Sequence, residues 1–360
     1  MAPEKLLLTP GPLTTRIETR RAMLDDWGSR DAPFIALTAE LRRRLLDVVH
    51  AGDGFVAVPL QGSGTFIVEA ALSTLLDRDA KLLVLTNGAY GERMVKIARR
   101  LGRSVEALSW PENRAIDPAK VAAVLERGEV SHVAMVHCET TTGLLNPLEE
   151  VAGVVAAHGA GLIVDAMSSF GALPIDLRVL PVAAVLASSN KGLEGAPGLG
   201  FAIVARSALG RCSGISPSLS LDLYDQWRAL DETGQWRFTP PVQVVAALVE
   251  ALRLLEAEGG PPGRLRRYRA NFDTLADGMQ RLGFELYLDR AVQAPIIATF
   301  RPRAGEPFDF NRFHGALSDS GFVIYPGKLT REETFRIGCI GAVEPADFER
   351  LLIEIRRITI

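Results

Sequence analysis

The sequence predicts an α/β fold in which a mainly parallel, doubly wound sheet is followed by a smaller α+β domain. Three observations predict it. Short apolar runs alternate with helical patterns over about 200 residues, the signature of repeated βαβ units. Four loops carrying hydroxyl, carboxylate or amine groups each follow a strand candidate directly, and in a parallel sheet such loops share one edge. Finally, Gly259-Gly260-Pro261-Pro262-Gly263 is the clearest linker signal in the chain, with helix and strand patterns resuming beyond it. The expected organisation is an N-terminal segment over residues 1–15 packed on the small domain, a large domain over 16–258, and a small C-terminal domain over 264–360.

Taken in order, the chain starts with an apolar run at residues 5–8 that breaks at Thr9-Pro10-Gly11-Pro12, where two prolines enforce an extended turn. Residues 17–24 and 36–49 repeat their apolar positions at helical spacing. Residues 55–60 form a β-rich run leading into Gln61-Gly62-Ser63-Gly64-Thr65, and 66–76 read as a helix. That succession gathers backbone N–H groups, hydroxyls and the positive end of a helix dipole, which suits a phosphate. It also suits an ordinary glycine turn, since neither GxxxxGK[ST] nor GxGxxG is present. Residues 81–86 form a second buried strand, ending in Asn87-Gly88-Ala89-Tyr90-Gly91, where Tyr90 either stacks on a ligand ring or packs as core. A helix over 92–101 and a strand over 104–108 follow, and Asp117-Pro118 caps a helix reaching 126.

The strand at 133–136 delivers His137-Cys138-Glu139-Thr140-Thr141-Thr142-Gly143, which sets three threonine hydroxyls at the ligand-binding rim. A helix over 149–158 leads to a strand over 161–164 that stops at Asp165, and the strand over 182–187 stops just before Ser189-Asn190-Lys191. Residues 195–200 turn into the apolar strand 201–204, 218–230 read as a helix, and 234–241 as an irregular loop. The helix over 242–258 is too apolar to face water all round. Past the linker come a helix over 265–282, a strand over 296–300, a helix over 310–320 and a strand over 334–341 that holds Arg336 among apolar neighbours. Arg336 either pairs with a structural acid or grips a carboxylate or phosphonate in bidentate fashion.

Composition narrows the functions. The chain has 360 residues, 48% of them hydrophobic and 23% charged, with a formal net charge of −3, so neither nucleic acid nor a membrane surface is an expected partner. The basic run Arg264-Leu265-Arg266-Arg267-Tyr268-Arg269 is read as the solvated face of a helix. Neither a secretory signal nor a membrane span is visible, so a cytoplasmic location is expected. Cys138, Cys212 and Cys339 are too scattered for a disulfide framework, and the five histidines lack zinc spacings. No metal is expected.

Asp165 and Lys191 lie 26 residues apart at the ends of two strand candidates. Such a pair suits pyridoxal phosphate, which needs an amine to condense with its aldehyde and a carboxylate to keep its ring nitrogen protonated. The motifs Leu8-Thr9-Pro10-Gly11-Pro12, Gln61 to Thr65, His137 to Gly143, Asp165-Ala166-Met167-Ser168-Ser169, Ser189-Asn190-Lys191, Leu219-Ser220-Leu221-Asp222-Leu223-Tyr224 and Phe335-Arg336-Ile337-Gly338 then agree in order. Together they resemble the fold-type I pyridoxal phosphate transferases and, within them, the class V aminotransferases of the 2-aminoethylphosphonate:pyruvate type. The pattern departs from the family's usual one at Arg30 and at Gly192.

The resemblance implies a seven-stranded sheet, pyridoxal 5'-phosphate as cofactor, and transamination of 2-aminoethylphosphonate with pyruvate in phosphonate catabolism. The alternative is an alanine–glyoxylate or serine–pyruvate enzyme. Lys191 would carry the cofactor and shuttle the proton, and Asp165 would face the ring nitrogen. Tyr90 would stack on the ring, Thr141 would lie near its hydroxyl, and Asn190 would line the site. Ser63, Gly64 and Thr65 would hold the phosphate, joined across a homodimer interface by Thr239, and Arg336 would bind the acidic end of either substrate.

Overall fold

A computed structural model describes residues 5–303, 305, 307–327 and 332–359. Seven strands form the large sheet: β1 (Phe55–Gln61), β2 (Lys81–Thr86), β3 (Ser104–Ser109), β4 (His132–Val136), β5 (Gly161–Asp165), β6 (Ala184–Ser188) and β7 (Leu199–Ala205). Their order is β1-β7-β6-β5-β4-β2-β3. Only β7 runs against its neighbours, β1 and β6. Apart from the edge strand β3, the sheet is buried on both faces, which explains why its strands read as largely apolar runs. Alternate residues go to opposite sides. Leu83, Leu85, Val133 and Met135 belong to one core with the helix Ala32–Val48, while Leu82, Val84, Ala134 and Val136 belong to the other.

That second face is covered by α1 (Gly64–Leu75) and α2 (Ala89–Arg100), and the first also takes α3 (Val242–Ala257). Because the strands other than β7 are parallel, their C-terminal ends meet on one edge. Register pairs Asp165 with Val136 on one side and Leu186 on the other, so the acid stands at the centre of that edge.

Beyond α3 the chain breaks at Gly259, whose φ of +95° is left-handed, and enters α4 (Gly260–Arg281) immediately. The expected linker 259–263 is thus mostly the first turn of a helix, with prolines where a helix lacks N–H acceptors anyway. The basic run in that helix is a solvated face only in part: Arg266 and Arg269 are exposed. Arg264 is 0% exposed and Arg267 is largely buried, both engaged with acids. The helix expected over 218–230 begins later, at Leu223–Thr233, because the Asp222 carboxylate caps it by accepting from the N–H groups of Tyr224 and Asp225.

A second, antiparallel sheet follows: β8 (Glu285–Leu286), β9 (Ile297–Arg301), β10 (Tyr325–Pro326) and β11 (Phe335–Gly338), in the order β8-β9-β11-β10. Its core is aromatic, with Phe284, Phe300 and Phe313 all ringed around Phe335. The helix Pro345–Thr359 packs there through Phe348, Leu351 and Ile355. The N-terminal Leu6–Leu7 pairs with Phe322 and Val323, and Gly338 N–H donates to the Leu8 carbonyl at 2.9 Å.

Candidate active site

The strand ends gather a cavity of about 170 Å³ lined by residues from four separate loops. The first is the turn after β1. Gly62 takes a φ of +121°, open to glycine alone at no cost, and so turns Ser63-Gly64-Thr65 into the start of α1. No side chain caps that helix; Phe66 N–H donates to the Ser63 carbonyl at 2.9 Å, while the N–H groups of Gly64 and Thr65 and the Ser63 hydroxyl, all on residues that line the cavity, have no protein partner among the described residues.

Tyr90 lies one strand over, in the first turn of α2 and not in the turn before it. The Lys191 Nζ stands 5.9 Å over its ring centroid. Asp165 and Asn190 also line this cavity, so seven of the expected residues, Ser63, Gly64, Thr65, Tyr90, Asp165, Asn190 and Lys191, come together. Asp165 is 4% exposed and accepts from Met167 N–H at 2.9 Å. Burial pushes its carboxyl up to about 6, and nearby Glu139 adds to the rise, while the Met167 N–H, Lys191 and Arg93 oppose it. Among the described residues it has no ion pair. Gly192 has a steric reason: a Cβ there would stand 2.6 Å from the Phe170 carbonyl oxygen.

Arg336 is on β11, outside the lining of this cavity, and 5% exposed. Its Nε donates to the Pro326 carbonyl at 2.8 Å and its Nη1 to the Thr140 carbonyl at 3.0 Å, which ties the small sheet to the loop after β4. Burial lowers its pKa, and no carboxylate pairs with it among the described residues. Thr141 and Thr239 also stay out of the lining. The Thr141 hydroxyl donates to Glu139 at 2.5 Å and accepts from Ala89 N–H at 3.0 Å, whereas Thr239 is exposed on the loop before α3. Arg30 is likewise exposed.

Two residues escaped the sequence reading. Glu139 is 0% exposed, and its carboxylate accepts from the N–H groups of Tyr90 at 3.3 Å and Thr141 at 3.0 Å. It therefore anchors the ring-bearing turn of α2 to the threonine loop. Arg93, one turn after Tyr90, lies 4.8 Å over the Tyr90 ring and donates to the Thr65 hydroxyl at 3.1 Å. Its spacing of three from Tyr90 on a helix was the available signal.

Elsewhere, a wider cleft of about 390 Å³ around Phe284 and Phe308 lies in the small domain and holds no paired lysine and acid. No group of metal-binding side chains occurs among the described residues, and no helix there is long and apolar enough to cross a membrane. Burial pushes the Cys138 thiol up to about 12 and the His137 imidazole down to about 4, so both are neutral near pH 7.

Comparison with known proteins agrees with this geometry. Residues 29–324 match the model of the family described as aminotransferase class-V. A protein of Polaromonas sp. (strain JS666 / ATCC BAA-500) called 2-aminoethylphosphonate–pyruvate transaminase 2 is 53% identical over 348 residues, covering 96% of this chain and 94% of its own. A 2-aminoethylphosphonate–pyruvate transaminase of Pseudomonas fluorescens is 53% identical over 342 residues, covering 95% and 93%. Among solved structures, alanine–glyoxylate aminotransferase from Nostoc sp. superposes with a TM-score of 0.92 at 25% identity, covering 99% of this chain and 96% of that one. Pyridoxamine–pyruvate aminotransferase from Mesorhizobium loti does so with a TM-score of 0.91 at 26% identity, covering 99% and 92%. The family model spans most of the chain and these relatives span nearly all of it; the chain belongs to the class-V aminotransferase family.

Proposed function

We propose that this protein is a pyridoxal 5'-phosphate-dependent aminotransferase that moves the amino group of 2-aminoethylphosphonate to pyruvate, giving phosphonoacetaldehyde and L-alanine. One observation carries the reading: a buried carboxylate and a lysine share one cavity, while a buried guanidinium without an ion pair among the described residues holds the threonine loop from outside it. The donor set fits the cofactor. Lys191 would hold it by its amine, Asp165 by its ring nitrogen, Tyr90 by the ring face, and Ser63, Gly64 and Thr65 by the phosphate, with Asn190 beside the lysine and Thr141 near the ring hydroxyl. When bound, the cofactor supplies an electron sink that acidifies the carbon bearing the amino group.

The chain's own groups do the rest. Lys191 Nζ, neutral once the substrate amine has replaced it, takes the proton from that carbon and returns it. The buried Asp165 carboxylate holds positive charge at the ring nitrogen, where low polarity strengthens the attraction. Arg336 keeps its Nη2 for the phosphonate of the donor and then for the carboxylate of pyruvate, since each substrate has one anionic end. The exposed Thr239 would complete the phosphate site of a second copy in a homodimer. Exposed apolar side chains beside the site, Phe66 next to Thr65 and Phe238 next to Thr239, support such an interface.

Alanine formation from pyruvate should be faster with 2-aminoethylphosphonate than with serine, and faster than transfer between alanine and glyoxylate. Faster turnover of the carboxylate donors would remove the phosphonate assignment. In the same preparation, Lys191→Ala should abolish turnover and the visible band of the lysine-linked cofactor; a wild-type protein without that band would refute the cofactor reading itself.

A further inference from the structure

The residues just after Lys191 are gripped by one face of α4. Arg264, Arg267, Tyr268 and Asn271 recur there at helical spacing. Arg264 Nη1 donates to the Gly192 carbonyl at 2.7 Å. Arg267 Nη2 and the Tyr268 hydroxyl both donate to Glu194 Oε1, at 2.7 and 2.6 Å. Glu194 is 3% exposed and holds a φ of +60°, a left-handed backbone that side-chain-bearing residues rarely adopt. Arg267, Tyr268 and Asn271 also reach the segment after β11. Arg267 Nη1 donates to the Val343 carbonyl at 3.1 Å, Asn271 Nδ2 donates to the Cys339 carbonyl at 3.1 Å, and Gly341 N–H donates to the Tyr268 hydroxyl at 3.3 Å.

Arg267 and Tyr268 thus tie the lysine loop to the segment that follows the strand carrying Arg336, with Arg264 holding the first of these and Asn271 the second. Apolar packing would fill this space with less desolvation, because a buried ion network adds little net stability. What directional bonds supply is fixed geometry, and the strained Glu194 backbone is held in place by them. We infer that Glu194 is a positioning residue which, through Arg267 and Tyr268, sets the separation between the proton-moving amine of Lys191 and the anion-binding guanidinium of Arg336. The inference rests on the roles proposed above for those two residues.

The test compares Glu194→Ala, Glu194→Gln and Tyr268→Phe with Leu275→Ala, a core substitution in the same helix whose side chain makes no polar contact with either segment. For each folded variant, two quantities are measured in addition to melting temperature. One is the rate at which apoprotein forms a borohydride-reducible adduct with pyridoxal 5'-phosphate at Lys191, located by peptide mass. The other is kcat and KM for each substrate. Glu194→Ala should slow adduct formation and kcat by about tenfold or more, the scale set by small misplacements of reacting groups, with a smaller change in KM. Glu194→Gln, which keeps an accepting oxygen, should recover part of the loss, and Tyr268→Phe should fall between. Leu275→Ala should melt earlier but react at the wild-type rate. Wild-type adduct rates in folded Glu194→Ala and Glu194→Gln, or losses that merely follow melting temperature as in Leu275→Ala, would overturn the inference. A wild-type apoprotein that forms no adduct at Lys191 would instead overturn the reading of the site.

Discussion

Two regions of the molecule bury charge and treat it differently. At the start of α4, every charge meets an opposite one: Arg264 pairs with Glu258 at 2.6 Å, and Arg267 with Glu258 and with Glu194, both at 2.7 Å. At the strand ends, Asp165 and Arg336 are buried comparably, 4% and 5% exposed, yet neither forms an ion pair among the described residues. Burying an uncompensated charge is costly, so such a charge persists where something outside the chain completes it. A protonated ring nitrogen would complete Asp165, and a phosphonate or carboxylate would complete Arg336. In these two regions, the paired charges belong to the scaffold and the unpaired ones are the candidates for contact with a ligand.

The sharpest way to break this contrast is to remove one arginine from each place. Arg264→Ala strands buried acids and should lower stability by about 3–5 kcal/mol, read from denaturant midpoints. Arg336→Ala should cost only about 1–2 kcal/mol, the loss of its two carbonyl contacts, while raising KM for pyruvate and for 2-aminoethylphosphonate by about thirtyfold or more. Equal stability losses with an unchanged KM would erase the distinction.

A smaller effect should follow pH. The Asp165 carboxyl rises from 3.8 to about 6 in the folded protein, so its contribution is fully present below the unfolded value and is lost as pH rises through the folded one. Apoprotein carrying Asp165→Asn should therefore gain stability relative to wild-type apoprotein between about pH 4 and pH 7, by on the order of 2–3 kcal/mol in urea melts. A pH-independent difference would show that the acid is compensated within the chain. The smallest effect concerns Arg93, which touches Thr65 and Tyr90 but no acid among the described residues. Arg93→Gln should weaken pyridoxal 5'-phosphate binding about tenfold in equilibrium dialysis and leave binding of pyridoxal, which lacks the phosphate, unchanged.

How much of this could be read from the sequence depended on how local each signal was. The strand at 81–86 coincides with β2 because both faces of a parallel sheet are buried and the apolar run is continuous. The acid and the lysine were legible because strand ends share an edge whatever the loops do. The ring-bearing turn was placed one step early, since Gly88 and Ala89 suggest a turn while Tyr90 already belongs to a helix. Arg264 and Arg267 of α4 were not legible as buried because Glu194 and the carbonyl of Gly192 lie about 70 residues away in the sequence, and only tertiary structure brings them to the helix, whereas Arg266 and Arg269 are exposed as expected. Glu139 was legible as a member of its motif but not as the acceptor that ties Tyr90 to Thr141, for the same reason.

The N-terminal segment has a consequence for how the protein is made. Residues 6 and 7 pair with 322 and 323, Leu8 accepts from Gly338, and Gly11 packs so tightly that a Cβ there would stand 2.7 Å from the Asn190 carbonyl oxygen. On the ribosome these residues emerge long before residues 322–338, so their berth exists only after β11 has been synthesised. The large sheet can condense while the chain is still growing. The wall beside Asn190 and Lys191 closes late, when residues 6–8 meet residues 322–338, so a translation product cut short before β11 would carry the strand ends without a finished site.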